Sequence, residues 1–205
     1  MIDQPAVHFV DDESALRDAL GFLLHSHGVP AKAYASGPEL LDTLSRHRLR
    51  GCILLDVRME PMSGLQVHDQ LILQGVQLPV LFLSGHGDIP MAVEALQRGA
   101  LDFLEKPFVG DVLIQRLQRA LAIEAAQHAE RQAQQALADR LASLTERERE
   151  IMTLVAAGKL NKVIADELGV SMRTVEVHRS RVYDKLGIRS SAEAATLLAR
   201  LGKGA

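Results

Sequence analysis

One cysteine, Cys52, stands among 205 residues, so no intrachain disulfide is possible. It lies in an apolar run and reads as a small buried hydrophobe, not a reactive thiol. No apolar run approaches the roughly 18 residues of a membrane span, so no membrane partner is expected. The amino-terminal stretch MIDQPAVHFVDDE has no basic segment and turns acidic by Asp11, which argues against a secretory signal. These absences fit a reducing, cytoplasmic setting. Net charge is also scarce, at −3, but it is unevenly spread. Residues 1–110 carry 8 Lys/Arg against 14 Asp/Glu, residues 111–142 carry 4 against 4, and residues 143–205 carry 11 against 8. An acidic front and a basic back suggest different partners, although an excess of three positive charges is weak evidence for nucleic acid by itself.

What is present is a regular alternation. Short apolar runs occur at Val7–Val10, weakly at Ala31–Ala35, then at Cys52–Leu55, Val80–Leu83 and Leu101–Leu104. Four of them are nearly continuous in apolar residues, as strands buried on both faces should be. Amphipathic stretches at Ser14–His27, Pro38–Arg46, Ser63–Gln74 and Ile89–Arg98 separate them, and Gly28, Gly51, Gly75 and Gly99 are read as helix ends. Five such units predict an α/β domain: a flavodoxin-like, doubly wound, five-stranded parallel sheet over residues 1–122. From Val109 to Leu144 the only glycine is Gly110, there is no proline, and Ala, Gln, Leu, Glu and Arg dominate. All are good helix formers. This predicts a fifth helix continuing into a helical linker at 123–142, either unbroken or interrupted near Gln127–Arg131.

Residues 143–205 read as all-helical. Thr145-Glu-Arg-Glu148 has the spacing of a capping box. Asn161–Leu168, the turn Gly169-Val170, and a helix capped by Ser171 and running to Leu186 have helix-turn-helix proportions. Val175, Val182 and Leu186 fall on one face of that second helix and should point inward. Arg173, Glu176, Val177 and Ser180 lie on the opposite face. The pattern suits a recognition helix with Glu176, Val177 and Ser180 at base edges, and with Lys162, Thr174, Arg179 and Lys185 at phosphates. From spacing alone, a purely structural helical hairpin with solvated charges is the other reading.

In open α/β sheets, ligands gather at the carboxyl ends of the strands. Those ends carry Asp11-Asp12, Asp56, Ser84 and Glu105-Lys106-Pro107. If the strand order is 2-1-3-4-5, three carboxylates, a hydroxyl and a lysine meet in one crevice. Carboxylates so close repel unless a cation joins them, and hard oxygen donors suit Mg²⁺. An ionised aspartate can attack phosphorus to form an aspartyl phosphate. Taken singly, an Asp-Asp pair would be read as surface acids and a helix cap.

The segments VDDESALRDAL, LLDVRMEPMSG, LSGHGDIPMAVEALQRGALDFLEKPF and SLTEREREIMTLVAAGKLNKVIADELGVSMRTVEVHRSRVYDKLG resemble the FixJ group of NarL/LuxR-type response regulators, over about residues 5–200. The resemblance implies a two-component transcription regulator that is not an enzyme. Asp56 would be the phosphoacceptor. Asp11, Asp12, Asp56 and the Arg58 carbonyl would hold Mg²⁺. Lys106 would bind phosphate, Ser84 and Phe103 would form the switch pair, and the Lys106-Pro107 bond would be cis. It further implies a sensor histidine kinase, promoter DNA and RNA polymerase as partners, and a homodimer on phosphorylation. The sequence departs from the family at Met59-Glu60-Pro61, where the proline usually stands one position earlier. It also has Glu176 where many members carry Lys. Two rivals remain. An Asp-nucleophile phosphatase would usually have a second Asp two residues on, but Arg58 stands there. A DNA-binding protein regulated without phosphate would not need the full Asp/Asp/Asp/Ser/Lys set.

Overall fold

A computed structural model describes residues 4–85 and 89–201. The chain divides into two compact units, Met1–Ala129 and Glu130–Ala205. The first alternates strands and helices: β1 (Ala6–Val10), α1 (Ser14–Ser26), β2 (Ala31–Tyr34), α2 (Gly37–Arg46), β3 (Gly51–Asp56), α3 (Gly64–Leu73), β4 (Val80–Ser84), α4 (Ile89–Gln97) and β5 (Asp102–Glu105). All strand pairs are parallel, and the order is β2-β1-β3-β4-β5. The doubly wound sheet expected from the pattern is therefore present.

The continuous apolar runs have a simple cause. Along β3, Cys52 and Leu54 pack on one side with Leu20 and Leu24 of α1 and with Leu113 and Leu117 of α5 (Gly110–Ala142). Ile53 and Leu55 pack on the other side with Leu40, Val67 and Leu71 of α2 and α3. Both faces are covered, so no position in the strand can be polar until its end. Each fully buried Leu or Ile contributes about 1.5–3 kcal/mol relative to exposure.

One expectation is corrected, and one open alternative is resolved. Gly51 does not end a helix. It opens β3 at φ 113°, where a Cβ would lie 1.9 Å from the Ala6 carbonyl oxygen. Close approach to β1 is what requires glycine there. Of the two forms left open for the long helix, unbroken or interrupted near Gln127–Arg131, the unbroken one is present. The helix α5 runs unbroken from Gly110 to Ala142, because past Gly110 that stretch contains no glycine and no proline to interrupt it. The expected linker, 123–142, lies within it. Its inward residues Leu113, Ile114, Leu117 and Ala120 recur every three or four positions and end at Glu124, which is fully buried. Glu124 accepts from Arg50 at both oxygens, at 2.6 and 3.2 Å, just ahead of β3.

The second unit contains α6 (Glu146–Ala156), α7 (Asn161–Leu168), α8 (Met172–Leu186) and α9 (Ser191–Leu201). The Thr145 hydroxyl accepts from the Glu148 amide, and the Thr145 amide donates to the Glu148 carboxylate, closing the capping box. Gly169, at φ 63°, ends α7 in the left-handed conformation, and the Ser171 hydroxyl accepts from Thr174 to start α8. Val175, Val182 and Leu186 face a core with Ile151, Val155 and Ile164. Among the described residues, no helix is long and apolar enough to cross a membrane.

Candidate functional site

Parallel pairing in register puts the carboxyl ends of four strands side by side, with Asp56 opposite Leu83 and Ser84 opposite Glu105. Asp11 follows β1 directly. The Lys106 ammonium donates to Asp56 Oδ1 at 2.5 Å and to Asp11 Oδ2 at 3.1 Å, so residues 11, 56 and 106 meet at one point. Asp11 and Asp56 are buried, at 2% and 7% exposure, which is rare for carboxylates unless paired. Burial pushes the Asp56 carboxyl above the usual carboxylate range, against the pull of the Lys106 ammonium. Burial alone would lower Lys106, but the carboxylates of Asp56 and Asp11 outweigh it and hold the ammonium above the usual lysine range.

Local bonds fix these groups. Asp56 Oδ2 accepts from the Arg58 amide at 3.0 Å, and Asp11 Oδ1 accepts from the Glu13 amide at 2.9 Å. The Arg17 guanidinium donates to the Asp11 carbonyl. The Lys106 amide donates to the Ser84 carbonyl, and the Lys106-Pro107 bond is cis as expected. The Ser84 side chain is fully buried, and its hydroxyl donates to the Gly85 carbonyl. Phe103 packs at a tilt on Phe82 with ring centroids 6.4 Å apart. Asp12 is exposed and turns aside to accept from the Glu60 amide at 3.2 Å. The unusual loop carries a second cis bond, Glu60-Pro61. His86, two residues past Ser84, lies outside the described residues.

Among the described residues no three His, Cys, Asp or Glu side chains stand at metal-binding separation. The donor set nevertheless fits a hard divalent cation. Two buried carboxylates converge on an ammonium that acts as their counter-ion, and Asp12 lies next to Asp11 at the mouth. Sequence reasoning missed Gly64. A Cβ there would lie 2.1 Å from the Asp56 carbonyl oxygen, so only glycine lets α3 start against the loop that follows Asp56. Its signal was the Gly of the MSG segment.

In the second unit Arg173, Glu176, Val177 and Ser180 are exposed on α8, opposite its core face, and Lys162 is exposed near the start of α7. The other expected phosphate contacts are placed differently. Thr174 shares its hydroxyl with the Ser171 cap at 2.8 Å. Arg179 donates to Asn161 Oδ1 at 2.9 Å and to the Tyr183 hydroxyl at 3.0 Å, joining α8 to α7. Lys185 donates to buried Glu148 at 2.6 Å and to the Ser143 carbonyl at 3.0 Å. That ammonium, with the Thr145 amide, holds the Glu148 carboxyl below the usual range.

Comparison with known proteins agrees with both halves. Residues 7–118 match the response regulator receiver domain, and residues 142–198 match the bacterial regulatory proteins of the luxR family. The chain belongs to the response regulator family. It is a two-component response regulator with a receiver and a LuxR-type DNA-binding domain, a regulator of transcription. It is 48% identical to the C4-dicarboxylate transport transcriptional regulatory protein DctR of Rhodobacter capsulatus, over 93% of this chain and 98% of that protein. It is 41% identical to the transcriptional regulatory protein FixJ of Azorhizobium caulinodans, over 91% of this chain and 88% of that one. The solved structure of the response regulator StyR superposes with a TM-score of 0.88 at 36% identity, over 96% of this chain and 99% of that one. Full-length FixJ from B. japonicum gives 0.60 at 38%, over 98% of each.

Proposed function

We propose that Asp56 accepts a phosphoryl group from a sensor histidine kinase, and that phosphorylation controls binding of the carboxy-terminal helices to promoter DNA. The observation carrying this reading is the Lys106 ammonium bound to both Asp56 and Asp11 at the strand-end crevice. A carboxylate oxygen of Asp56 attacks phosphorus, a new P–O bond forms, and the bond to the donor breaks. The donor leaves as neutral imidazole, or as acetate when acetyl phosphate is used. Lys106 moves from Asp56 to the phosphoryl oxygens, trading one anion for another. Mg²⁺, held by Asp11, Asp12, Asp56 and the Arg58 carbonyl, supplies further charge neutralisation when bound.

The Ser84 hydroxyl then turns to the phosphoryl group, and Phe103 rotates inward beside Phe82. This population shift remodels the α4–β5 face, where Val93 and Leu96 are exposed. That face joins two copies into a homodimer. Glu176, Val177 and Ser180 read base edges, with Arg173 beside them in the groove, and Lys162, Thr174, Arg179 and Lys185 stand nearest phosphates. For Arg179 and Lys185 that role requires exchanging internal partners for phosphate. The segment 123–142 serves as linker between receiver residues 1–122 and DNA-binding residues 143–205. A promoter-bound regulator of this kind works in the cytoplasm and meets RNA polymerase there.

Radiolabelled acetyl phosphate with Mg²⁺ tests the reading. Stable label on Asp56 supports it. Rapid turnover with free phosphate release would identify a phosphatase, and no label at all would mean regulation without phosphate.

A further inference from the structure

The amino-terminal unit has a cavity at the end of the sheet away from the carboxylates. It lies at the amino ends of β4 and β5, between the last turns of α3 and α4 and against α5, with a volume of ≈360 Å³. Leu71, Val80, Leu101 and Ile123 line it with apolar surface, and His68, Arg98 and Gln127 supply polar groups. The size and the mixture are those of a small-ligand site.

Three observations narrow the ligand. His68 is buried at 3% exposure, and among the described residues its Nδ1 has no hydrogen-bond partner, which is costly in a folded interior. Burial pushes its pKa down, leaving a neutral ring with one N–H and one lone pair. The imidazole torsion is soft and two-fold, so the ring can turn either edge toward a partner. Arg98 is already shared by Asp69, at 2.6 and 2.8 Å, and Glu94, at 2.5 Å. One guanidinium between two carboxylates leaves a net negative charge, which repels anions. Finally, His68 meets Phe82 edge-on, with centroids 5.5 Å apart and planes at 84°, and Phe82 contacts Phe103. The cavity wall therefore reaches the switch aromatic through one intervening ring.

We propose that this cavity binds a small neutral amphipathic molecule of the size and polarity of an aromatic alcohol. Its hydroxyl pairs with the His68 imidazole, and its ring packs on Leu71, Val80 and Ile123. Occupancy fixes His68 against Phe82 and so biases the position of Phe103. That regulatory half rests on the reading of Phe103 as a switch, whereas the binding half does not.

Amide spectra of the full chain, titrated with benzyl alcohol and in parallel with benzoate, test the binding. Benzyl alcohol should give saturable shifts at Leu71, Leu101 and Ile123 with a Kd of about 1 mM, as expected for eight heavy atoms. Benzoate should give none. His68→Phe keeps a ring on Phe82 and should weaken benzyl alcohol at least about fivefold. Ala100→Leu, which fills the cavity, should abolish the shifts. Absence of saturable shifts, equal binding of benzoate, or unchanged affinity in His68→Phe would overturn the site. For the regulatory half, saturating benzyl alcohol should change the rate of labelling by acetyl phosphate about fivefold or more. Binding without a rate change would overturn the coupling alone. Failure of the wild type to take label would instead strike at the phosphoacceptor reading, with the binding result standing.

Discussion

The crevice at the strand ends and the exposed face of α8 both collect charged side chains, but their charges are tied in opposite ways. In the crevice, Lys106 is bound to Asp11 and Asp56, groups that come from the ends of different strands and have no structural need for one another. On α8, Arg179 and Lys185 are bound to Asn161, Tyr183 and Glu148, groups that hold the helices together. A charge at a buried strand end is costly to keep, so its presence marks chemistry. A charge on a short helix is cheap, and the same residue type serves packing, solubility or DNA.

That contrast can be broken most forcefully at the buried pair at the other end of β3. Arg50→Met leaves Glu124 buried without its cation, and should cost the amino-terminal unit about 3–5 kcal/mol. Arg50→Met with Glu124→Leu should recover most of it. Urea unfolding of the receiver transition measures both, and equal stability of the single and double variants would refute a buried-charge penalty.

Next in size is Gly64→Ala. The added Cβ meets the Asp56 carbonyl and should shift the loop, lowering stability by about 1–3 kcal/mol and slowing phosphorylation. Gly75 differs in having positive φ and open space around it, so Gly75→Ala should cost only about 1–2 kcal/mol and leave phosphorylation unchanged. If both glycines behave alike in the labelling assay, Gly64 has no special bearing on the site.

A smaller effect is expected in the second unit, and it depends on pH. The folded-state pKa of Glu148 lies below its ordinary 4.5. Its contribution is therefore fully present above that value and fades as pH falls through the folded pKa. Lys185→Met should flatten this acid dependence, seen by amide exchange across residues 146–186. An unchanged pH profile would return Lys185 to the solvent and to DNA phosphates. The smallest effect belongs to Lys162→Ala, which should reduce the salt dependence of DNA binding by about one charge without altering the preferred sequence. Glu176→Lys should alter that sequence, at a cost of about 1–3 kcal/mol at one base pair. Selection on randomised half-sites separates the two.

The strands, their order and the meeting of Asp11, Asp56 and Lys106 were legible because burial on both faces leaves a strand only its end for polar residues. Gly51 was misread since a glycine opening a strand looks, in sequence, like one closing a helix. The Arg50–Glu124 pair spans 74 residues and follows no period, so nothing local announces it. The inward roles of Arg179 and Lys185 were hidden for a related reason. Helical periodicity assigns a face, but a long cationic side chain can reach around it.

The proposed phosphoacceptor is Asp56. Intact-mass measurement after incubation with acetyl phosphate and Mg²⁺ tests it most directly, comparing the wild type with Asp56→Asn, a near-isosteric change that removes the anionic nucleophile. The wild type should gain one phosphoryl group, and the variant, folded to the same extent, should gain none. Equal gain in both would place the acceptor elsewhere and contradict the account.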